Sequence, residues 1–514
     1  MKRNIIANYV GTFWAAAVQI LFVPAYIHYL GMEAYGLIGF YATLQVWLML
    51  LDFGFTPTIN REMARFRGGV TDSGYIRKLL HILELGCLGI GAVSFLLVAS
   101  ASHWLSNHWF NLHALTPHEV QTSILMMGSV VVVRWMNNFY RGALQGLQKQ
   151  VWLNIAWVFF ISARSIGVIA ILAWVSPTIT AYFAYQCAVS IMEAVVMRIG
   201  VVRSLPHGQH AFITVRQLLK EHIHFAGGMA LLSVLGVALS QSDKIILSKI
   251  LSLKDFGYYA LATTIANGLL AVVVPIFGAV TPKLTEKAAS GDIGDLTRNY
   301  HTGTDLIALL VYPLSAMLIF LGAPLIAAWS GSAPLARHVI EYLPLLALGT
   351  AFYCLAHMPY GLQLAYGKTR LLITLNTVTV TLLIPALVIL VPVHGPIVAA
   401  AAWAILNAIG LAVQVFAVHR NLLPGKQTRR WMTVTFIYPC AAMTLVFGSA
   451  RLLFYKELAG ASIVMSLAFI VIVTVTAVVI LALIVPTGRQ ILIQLNTWIR
   501  QRLNSAYTPP PAAL

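Results

Sequence analysis

Residues 38–60 have the sequence IGFYATLQVWLMLLDFGFTPTIN, and residues 61–78, which follow directly, have the sequence REMARFRGGVTDSGYIRK. The first stretch is apolar and is about as long as the roughly 20 residues that a helix needs to cross a bilayer. The second is polar and carries five Lys or Arg side chains. Because the same pairing recurs along the chain, we predict an all-α polytopic membrane protein with about 14 transmembrane helices.

The predicted spans are apolar stretches separated by short polar segments, so we expect no inserted soluble domain. The first span lacks a small-residue cleavage site, which indicates a retained span and not a signal peptide. The spans are 8–29, 38–60, 79–101, 119–140, 152–174, 179–197, 223–246, 257–281, 303–329, 340–366, 371–391, 395–418, 431–450 and 459–486.

Lysine and arginine collect in every second segment between the spans. Of the 33 basic residues, 25 lie in segments that we assign to the cytoplasm, and five lie in segments that we assign to the outside. The other three, Arg134, Arg164 and Lys244, lie within or at the edge of spans. Because basic segments resist translocation, this bias predicts that both termini are cytoplasmic.

The composition excludes a soluble globular protein, because 59% of the residues are hydrophobic and only 10% are charged. The net charge of +17 follows from the cytoplasmic bias and has no basic-aromatic recognition motif beside it, so we predict no nucleic acid partner. The four cysteines lie inside spans without metal-ligand spacing. Phosphate-binding loops, zinc motifs and serine nucleophile motifs are absent from the sequence, which predicts no catalytic site, no metal and no cofactor.

The chain contains a weak internal repeat at an offset of about 220 residues. Three segments of the first half match the second: 30–36 with 251–257, 55–69 with 277–291, and 142–149 with 361–368. A shift of six spans preserves the orientation of each helix. We therefore predict two six-helix lobes as pseudo-symmetric parallel repeats, which frame a central cavity.

The predicted domains follow from this repeat. They are an N-terminal six-helix lobe at 1–202, a cytoplasmic linker at 203–222, a C-terminal six-helix lobe at 223–418, two extra transmembrane helices at 431–486, and a cytoplasmic amphipathic segment with a disordered tail at 487–514. The amphipathic segment is expected to lie on the inner membrane surface.

Polar residues inside apolar helices are costly and usually mark function. In the fourth span such residues recur at intervals of three or four, which places them on one helix face. They are Arg134, Asn138, Arg141, Gln145 and Gln148. This face predicts the wall of an aqueous groove. The alternative is that its lower part lies in the cytoplasmic interface, which leaves only Arg134 to explain, but the cost of a buried arginine favours the groove.

Arg164, in the fifth span, requires either water or a carboxylate partner, for which Asp52 and Glu193 are the candidates. The same two carboxylates are the candidate ion-coupling residues, because a carboxylate held out of water takes up protons readily. An interhelical salt bridge is the alternative, and the sequence leaves both open. Lys244 follows Asp243 at the outer end of the seventh span, where interfacial snorkelling also explains it.

Two further groups of polar residues are weaker candidates. His357 shares a face of the tenth span with Tyr353 and Tyr360, and these side chains either line the cavity or belong to the core. His301 and Asp305 begin the ninth span, where helix capping explains them.

Four short motifs in the first 290 residues give the chain a resemblance to a known family. They are NYVG at 8–11 with PAYIHYLGMEAYG at 24–36, LDFGF at 51–55 with the basic segment 61–69, YRGALQG at 140–146, and SDKIILS at 242–248 with FGYY at 256–259. In order and spacing they resemble the polysaccharide flippases, of O-antigen and related type, in the multidrug/oligosaccharidyl-lipid/polysaccharide exporter superfamily.

The resemblance implies a twelve-helix V-shaped core, here with two extra helices, a cationic central cavity, and alternating access driven by an ion gradient. It implies a cargo that consists of an oligosaccharide unit on undecaprenyl diphosphate. Arginine suits such an anion because its guanidinium makes bidentate contacts to phosphate. The candidate substrate-binding residues are therefore the cations and the amide of the predicted cavity, Arg134, Arg164, Asn138, Arg141 and Lys244.

We therefore predict a flippase of the bacterial inner membrane that moves the lipid-linked oligosaccharide to the periplasmic leaflet in lipopolysaccharide O-antigen or exopolysaccharide biosynthesis. Besides the bilayer, the resemblance makes a polysaccharide polymerase and a chain-length regulator candidate partners. A peptidoglycan-precursor lipid flippase and a drug/cation antiporter are alternatives with the same fold, although the antiporter prefers an acidic cavity. A membrane glycan polymerase or transferase needs a large outer loop with catalytic residues, and the short outer loops here argue against an enzyme.

Overall fold

The computed structural model consists of α-helices, with 89% of residues helical and no β-strand among the residues that it describes. These are residues 11, 14–15, 17–52, 54–206, 215–423, 425–460 and 462–507. Only the backbone is described for residues 51, 215–232, 455–456, 458–460, 499 and 501–507. The predicted disordered tail from 508 onward and part of the predicted linker, 207–214, lie outside the described residues.

The helices follow one another with short connections. In chain order they are α1 (Val23–Leu48), α2 (Phe55–Arg67), α3 (Ser73–Trp104), α4 (Pro117–Gly146), α5 (Gln150–Trp174), α6 (Ile179–Val202), α7 (Val215–Ile250), α8 (Leu253–Asn267), α9 (Leu270–Ser290), α10 (Ile293–Ser330), α11 (Ala333–Val339), α12 (Leu343–Leu355), α13 (His357–Ala365), α14 (Arg370–His394), α15 (Ile397–Asn421), α16 (Gln427–Arg430), α17 (Tyr438–Gly460), α18 (Ile463–Ile484) and α19 (Pro486–Tyr507). A π-helical turn, Leu105–Trp109, extends α3, and another, Trp431–Ile437, precedes α17.

The helices form two compact units. The first contains residues 1–261 and 372–399, and the second contains residues 262–371 and 400–514. The lobe boundaries predicted from the repeat remain a prediction.

Ten helical segments are long and apolar enough to cross a membrane, counted over the described part of the chain. The predicted spans outside these ten are 8–29, 38–60, 119–140 and 223–246. The first of them is described only in part, and the third carries Arg134 with its amide neighbours, which lower the mean hydropathy. The prediction of an all-α polytopic membrane protein is confirmed.

Several predicted spans are not single α-helices in the described structure. The span 257–281 divides between α8 and α9, and the span 431–450 begins as a π-helical turn before α17. The span 38–60 breaks after Leu48 into a 3₁₀ turn, and Gly54, at φ 82°, ends that turn before α2 begins. Only glycine adopts this left-handed backbone without strain. The span 340–366 divides into α12 and α13 at Ala356. Hydropathy averages over such breaks, which is why a pattern of apolar residues alone predicts unbroken helices.

In the first unit, α2 packs against α4 through a buried apolar core. Ile59 and Met63 of α2 and Phe139 of α4 are fully buried there. The helices approach closely because α4 has glycine at the contact: a Cβ on Gly142 would lie 2.8 Å from Thr56 Cγ2 and 3.1 Å from Thr56 O. Small residues at helix contacts are how helices pack tightly in membranes.

The second unit repeats this contact between α9 and α13. A Cβ on Gly361 would lie 3.0 Å from the ring of Phe277 and 3.2 Å from Thr281 Oγ1. Gly361 matches Gly142 in the repeat, and Thr281 matches Ile59, whose Cγ2 would lie 3.7 Å from a Cβ on Gly142, so this contact is equivalent in the two units. The structure therefore supports the internal repeat that the three short matches predict.

The turns after α4 and α13 are also equivalent. Gln148 has φ 54° and Gly367 has φ 65°, and each is followed by a lysine whose N–H donates back into the helix, Lys149 to Leu144 O (3.0 Å) and Lys368 to Gln363 O (2.9 Å). This bond pattern ends a helix in a Schellman motif. Gln148 therefore lies in a turn, and its predicted place on the polar face of the fourth span is wrong.

Candidate functional site

Helix α4 carries the arginine-rich face. A capping box fixes its start, in which Glu119 N–H donates to Thr116 Oγ1 (3.3 Å) and Thr116 N–H donates to Glu119 Oε2 (2.9 Å). Between residues 134 and 141, the side chains of Arg134, Asn138 and Arg141 are partly accessible, and the five residues between them are buried. The helix therefore presents three polar side chains to accessible space from an otherwise buried stretch.

Arg134 is held by neutral groups of α1. Its Nη1 donates to Tyr41 Oη (3.1 Å) and to Gln45 Oε1 (3.0 Å). Tyr41 is buried and packs edge-on against Phe183, with ring centroids 5.4 Å apart. These contacts orient the guanidinium and leave its positive charge uncompensated.

Arg164 forms a buried ion pair with Glu193. The two residues are 6% and 2% exposed, and Arg164 Nη2 donates to Glu193 Oε2. The same oxygen accepts from Asn137 Nδ2 at 3.1 Å, and Asn137 also donates to Ser190 O at 3.3 Å. Of the two carboxylates that the sequence offered to Arg164, the structure therefore pairs it with Glu193.

We group Arg134, Arg141 and Arg164 as one cationic cluster: Arg134 and Arg141 share a face of α4, and Arg164 lies on the next helix, α5, and pairs with the carboxylate of Glu193 that also accepts from Asn137 of α4. Arg141 lies over the ring of Trp157, 4.8 Å from its centroid, a favourable position for a cation. Within the described side chains, no carboxylate lies within 4.0 Å of Arg134 or Arg141. With Arg164 compensated by Glu193, the cluster carries two uncompensated positive charges.

Asp52 lies at the start of α2, in the break that divides the second span. Its Oδ1 accepts from Thr56 Oγ1 (2.7 Å) and from Trp135 Nε1 (3.0 Å), and its Oδ2 accepts from Thr56 N–H (3.2 Å). A carboxylate at a helix N-terminus is stabilised by the free N–H groups there. Asp52 therefore caps a helix, and its candidate role in ion coupling stays a prediction.

Lys244 contacts its own helix. Its Nζ donates to Ser240 O (2.7 Å) and lies 3.5 Å from Asp243 Oδ1. Asp243 Oδ2 also accepts from Tyr259 Oη at 2.7 Å. These two contacts of Lys244 are with its own helix and not with α4 or α5. Asn138 is accessible on α4 between Arg134 and Arg141.

Two residues near the cluster were missed by the sequence analysis. One is Tyr41, the partner of Arg134, which lies four residues before Gln45 and so on the same helix face. The other is Glu84, which accepts from Tyr140 Oη and from Arg198 Nε (2.6 Å). An acidic residue within the third apolar span is itself a signal that could have found Glu84.

Comparisons with known proteins identify the family of this chain. A model of the family described as "Polysaccharide biosynthesis protein" matches residues 1–287. A Shigella flexneri protein assigned as an O-antigen transporter is 20% identical over 410 residues, which covers 78% of this chain and 94% of that protein.

Solved structures show the same fold. The lipid II flippase MurJ in an inward closed conformation has a TM-score of 0.63 at 14% identity and covers 93% of this chain and 98% of its own. An inward-facing multidrug resistance MATE family transporter of the MOP superfamily has a TM-score of 0.63 at 13% identity, with 79% and 95% covered. Since the family model matches more than half of its residues, this chain belongs to the polysaccharide biosynthesis protein family of multi-pass membrane transporters.

Proposed function

We propose that the protein flips an undecaprenyl-diphosphate-linked oligosaccharide from the cytoplasmic to the periplasmic leaflet of a bacterial inner membrane by ion-coupled alternating access. In this proposal both termini are cytoplasmic, and the flipped unit is passed to a polysaccharide polymerase and its chain-length regulator. The observation that carries the proposal is the cationic cluster of Arg134, Arg141 and Arg164. The family and the Shigella relative support the polysaccharide cargo.

A diphosphate is the ligand that best matches this cluster. A charged side chain in the middle of a membrane helix costs about 2.5–3.5 kcal/mol on insertion scales, so uncompensated arginines there need a compensating role. Guanidinium groups bind phosphate oxygens in pairs of parallel hydrogen bonds. Tyr41 and Gln45 orient Arg134 without neutralising it, which leaves the charge for an anionic headgroup. An organic cation, the cargo of the antiporter alternative, would be repelled.

Ion coupling belongs to the proposal through Glu193 and Asp52. A proton that bound Glu193 would remove the counter-charge of Arg164 and give the cluster a third uncompensated positive charge. Proton binding would then strengthen anion binding, and by linkage the anion would favour proton uptake. Asp52 is a second candidate, since its contacts are all with neutral donors.

Substitution of Arg134 tests the proposed headgroup site. Arg134→Ala removes both the positive charge and the planar guanidinium that makes paired hydrogen bonds, whereas Arg134→Lys restores the charge alone. A hydrogen bond to a charged group contributes about 1.5–3 kcal/mol. We therefore expect Arg134→Ala to weaken binding of undecaprenyl diphosphate to the purified protein about 10- to 100-fold and to block surface polysaccharide display, with partial rescue by Arg134→Lys.

The matched control is Arg337→Ala, because Arg337 is an exposed arginine of α11 outside the cluster. Protein abundance is measured in every strain, so that a folding defect is separated from a transport defect. Normal binding and normal display in a stable Arg134→Ala variant would refute the headgroup role.

A further inference from the structure

The internal repeat pairs each residue of the arginine-rich face with a residue of the second unit. The match of Gly142 with Gly361, and of the turn at Gln148 with the turn at Gly367, sets an offset of 219 residues. At this offset the equivalents of Arg134, Asn138 and Arg141 are Tyr353, His357 and Tyr360. The helix register carries across the junction of α12 and α13, because Ala356 keeps a right-handed helical backbone at φ −70° and ψ −12°.

The two faces have the same pattern of burial. In each stretch of eight residues the first, fifth and eighth side chains are accessible and the five others are buried. Tyr353 is 39% exposed, and its ring packs beside the rings of His357 and Trp403, with centroids 5.0 Å and 5.9 Å away. Equivalent helix faces are therefore accessible in the two units, with arginines in the first unit and aromatic rings in the second.

Five rings form what we call the aromatic face: Phe277, Tyr353, His357, Tyr360 and Trp403. Centroid distances are 5.0 Å from Tyr353 to His357, 5.5 Å from Phe277 to His357, 6.0 Å from Phe277 to Tyr360, and 5.9 Å from Tyr353 to Trp403. All five residues belong to the second unit. The rings thus make one continuous surface across α9, α12, α13 and α15.

Hydrogen bonds to the helices fix two of these rings. His357 Nδ1 lies 2.9 Å from Tyr353 O, and Trp403 Nε1 donates to Thr350 Oγ1 at 3.2 Å. The hydroxyls of Tyr353 and Tyr360 add further polar groups. The aromatic face therefore combines ring surfaces with hydroxyl and imidazole groups that can form hydrogen bonds.

We infer that the aromatic face binds the sugar rings of the cargo. A pyranose has a flat C–H surface that stacks on an aromatic ring, and hydroxyls at its rim that bond to phenol and imidazole groups. A face toward lipid would be aliphatic, since tyrosine and histidine are costly there. The inference rests on the proposed function, because it takes the lipid-linked oligosaccharide as cargo.

The test compares two probes on the same purified full-length variants. One is undecaprenyl-diphosphate-linked oligosaccharide extracted from membranes of the source cells, and the other is undecaprenyl diphosphate without sugar. We expect Tyr353→Leu to weaken the binding of the first probe about tenfold, the size of one good aromatic contact, and to leave the second unchanged. Tyr353→Phe, which keeps the ring, should weaken the binding of the first probe much less. The matched control is Tyr438→Leu, a 52% exposed tyrosine outside the aromatic face.

The outcomes separate this inference from the proposed function. Arg134→Ala should weaken the binding of both probes equally. If it does not, the headgroup role of Arg134 is refuted, but the comparison of the two probes with Tyr353→Leu still tests the sugar site. Tyr353→Leu that weakens both probes alike, or neither, would overturn the inference. So would a loss of rhodamine 6G binding with both lipid probes unaffected, since that pattern assigns the aromatic face to organic cations.

Discussion

Replacing Arg164 or Glu193 alone is expected to destabilise the protein far more than replacing both. Their side chains are 7% and 3% exposed, so a single replacement leaves the other charge buried without its partner. Such a loss costs about 3–5 kcal/mol, whereas apolar side chains of similar volume in place of both partners are often close to neutral. We therefore expect Arg164→Met and Glu193→Met each to lose about 3–5 kcal/mol, and the double variant to lose much less.

Unfolding of the purified protein in mixed detergent micelles, followed across a denaturing detergent series, gives the free energies for a double-mutant cycle. The two single losses sum to about 6–10 kcal/mol, so a double variant that loses about 1 kcal/mol implies a coupling of about 5–9 kcal/mol between the two positions, above the roughly 0.5–3 kcal/mol usual for contacting residues. Arg298→Met is the control, because the Arg298 side chain is 75% exposed in its pair with Asp295, and such pairs contribute less than about 1 kcal/mol. A double variant whose loss equals the sum of the single losses would refute the reasoning.

The same double variant separates stability from binding. Removing Arg164 with Glu193 leaves the net charge of the cluster unchanged, because the two charges cancel. Binding of undecaprenyl diphosphate should therefore stay within about threefold of the wild type, a difference below 1 kcal/mol. A tenfold loss in the stable double variant would show that Arg164 contacts the anion directly.

Three further predictions concern orientation, coupling and the equivalent turns. A cysteine at Ala114 should react with an impermeant thiol reagent added from outside and a cysteine at Gly69 should not, and the reverse pattern would overturn the predicted orientation. If Asp52 is the coupling residue, Asp52→Asn should abolish the dependence of transport on the ion gradient at normal protein abundance, and full gradient dependence in this variant would leave Glu193 as the remaining candidate. Gln148→Gly should raise the melting temperature and Gly367→Ala should lower it, because positive φ costs a residue with a Cβ about 1–2 kcal/mol; shifts of the opposite sign would contradict this account.

The helical architecture could be predicted because one physical constraint dominates it. A backbone in hydrocarbon must satisfy its own hydrogen bonds, so apolar stretches of the right length become helices. The same constraint made Arg134 and Arg164 conspicuous, since a cation stands out in an apolar span. The break at Gly54 was missed because the stretch 38–60 is apolar on average despite Asp52 and Thr56, whereas the 3₁₀ turn and the backbone at φ 82° show the break.

The sequence could not predict which side chain pairs with each arginine of the spans, because that depends on how separate helices pack. Arg164 and Glu193 lie on successive helices, and Arg134 and Tyr41 are 93 positions apart. Nothing local in the sequence selects Glu193 over Asp52 for Arg164. Gln148 was placed on the helix face because it follows Gln145 at an interval of three, yet its equivalent Gly367 carried the signal that the helix ends there.

Duplication explains why the two accessible faces share a backbone but differ in chemistry. Packing fixes the glycine contacts and the turns, so Gly142 and Gly361 remain alike, and the two turns keep the same bonds. The accessible positions carry no such packing constraint, so the side chains of Arg134 and Tyr353 can differ in chemistry. A cargo with a single kind of group would favour the same side chains on both faces. Under the proposed function the cargo has a charged diphosphate and neutral sugar rings, and we expect these groups to favour different side chains, such as arginine at position 134 and tyrosine at position 353.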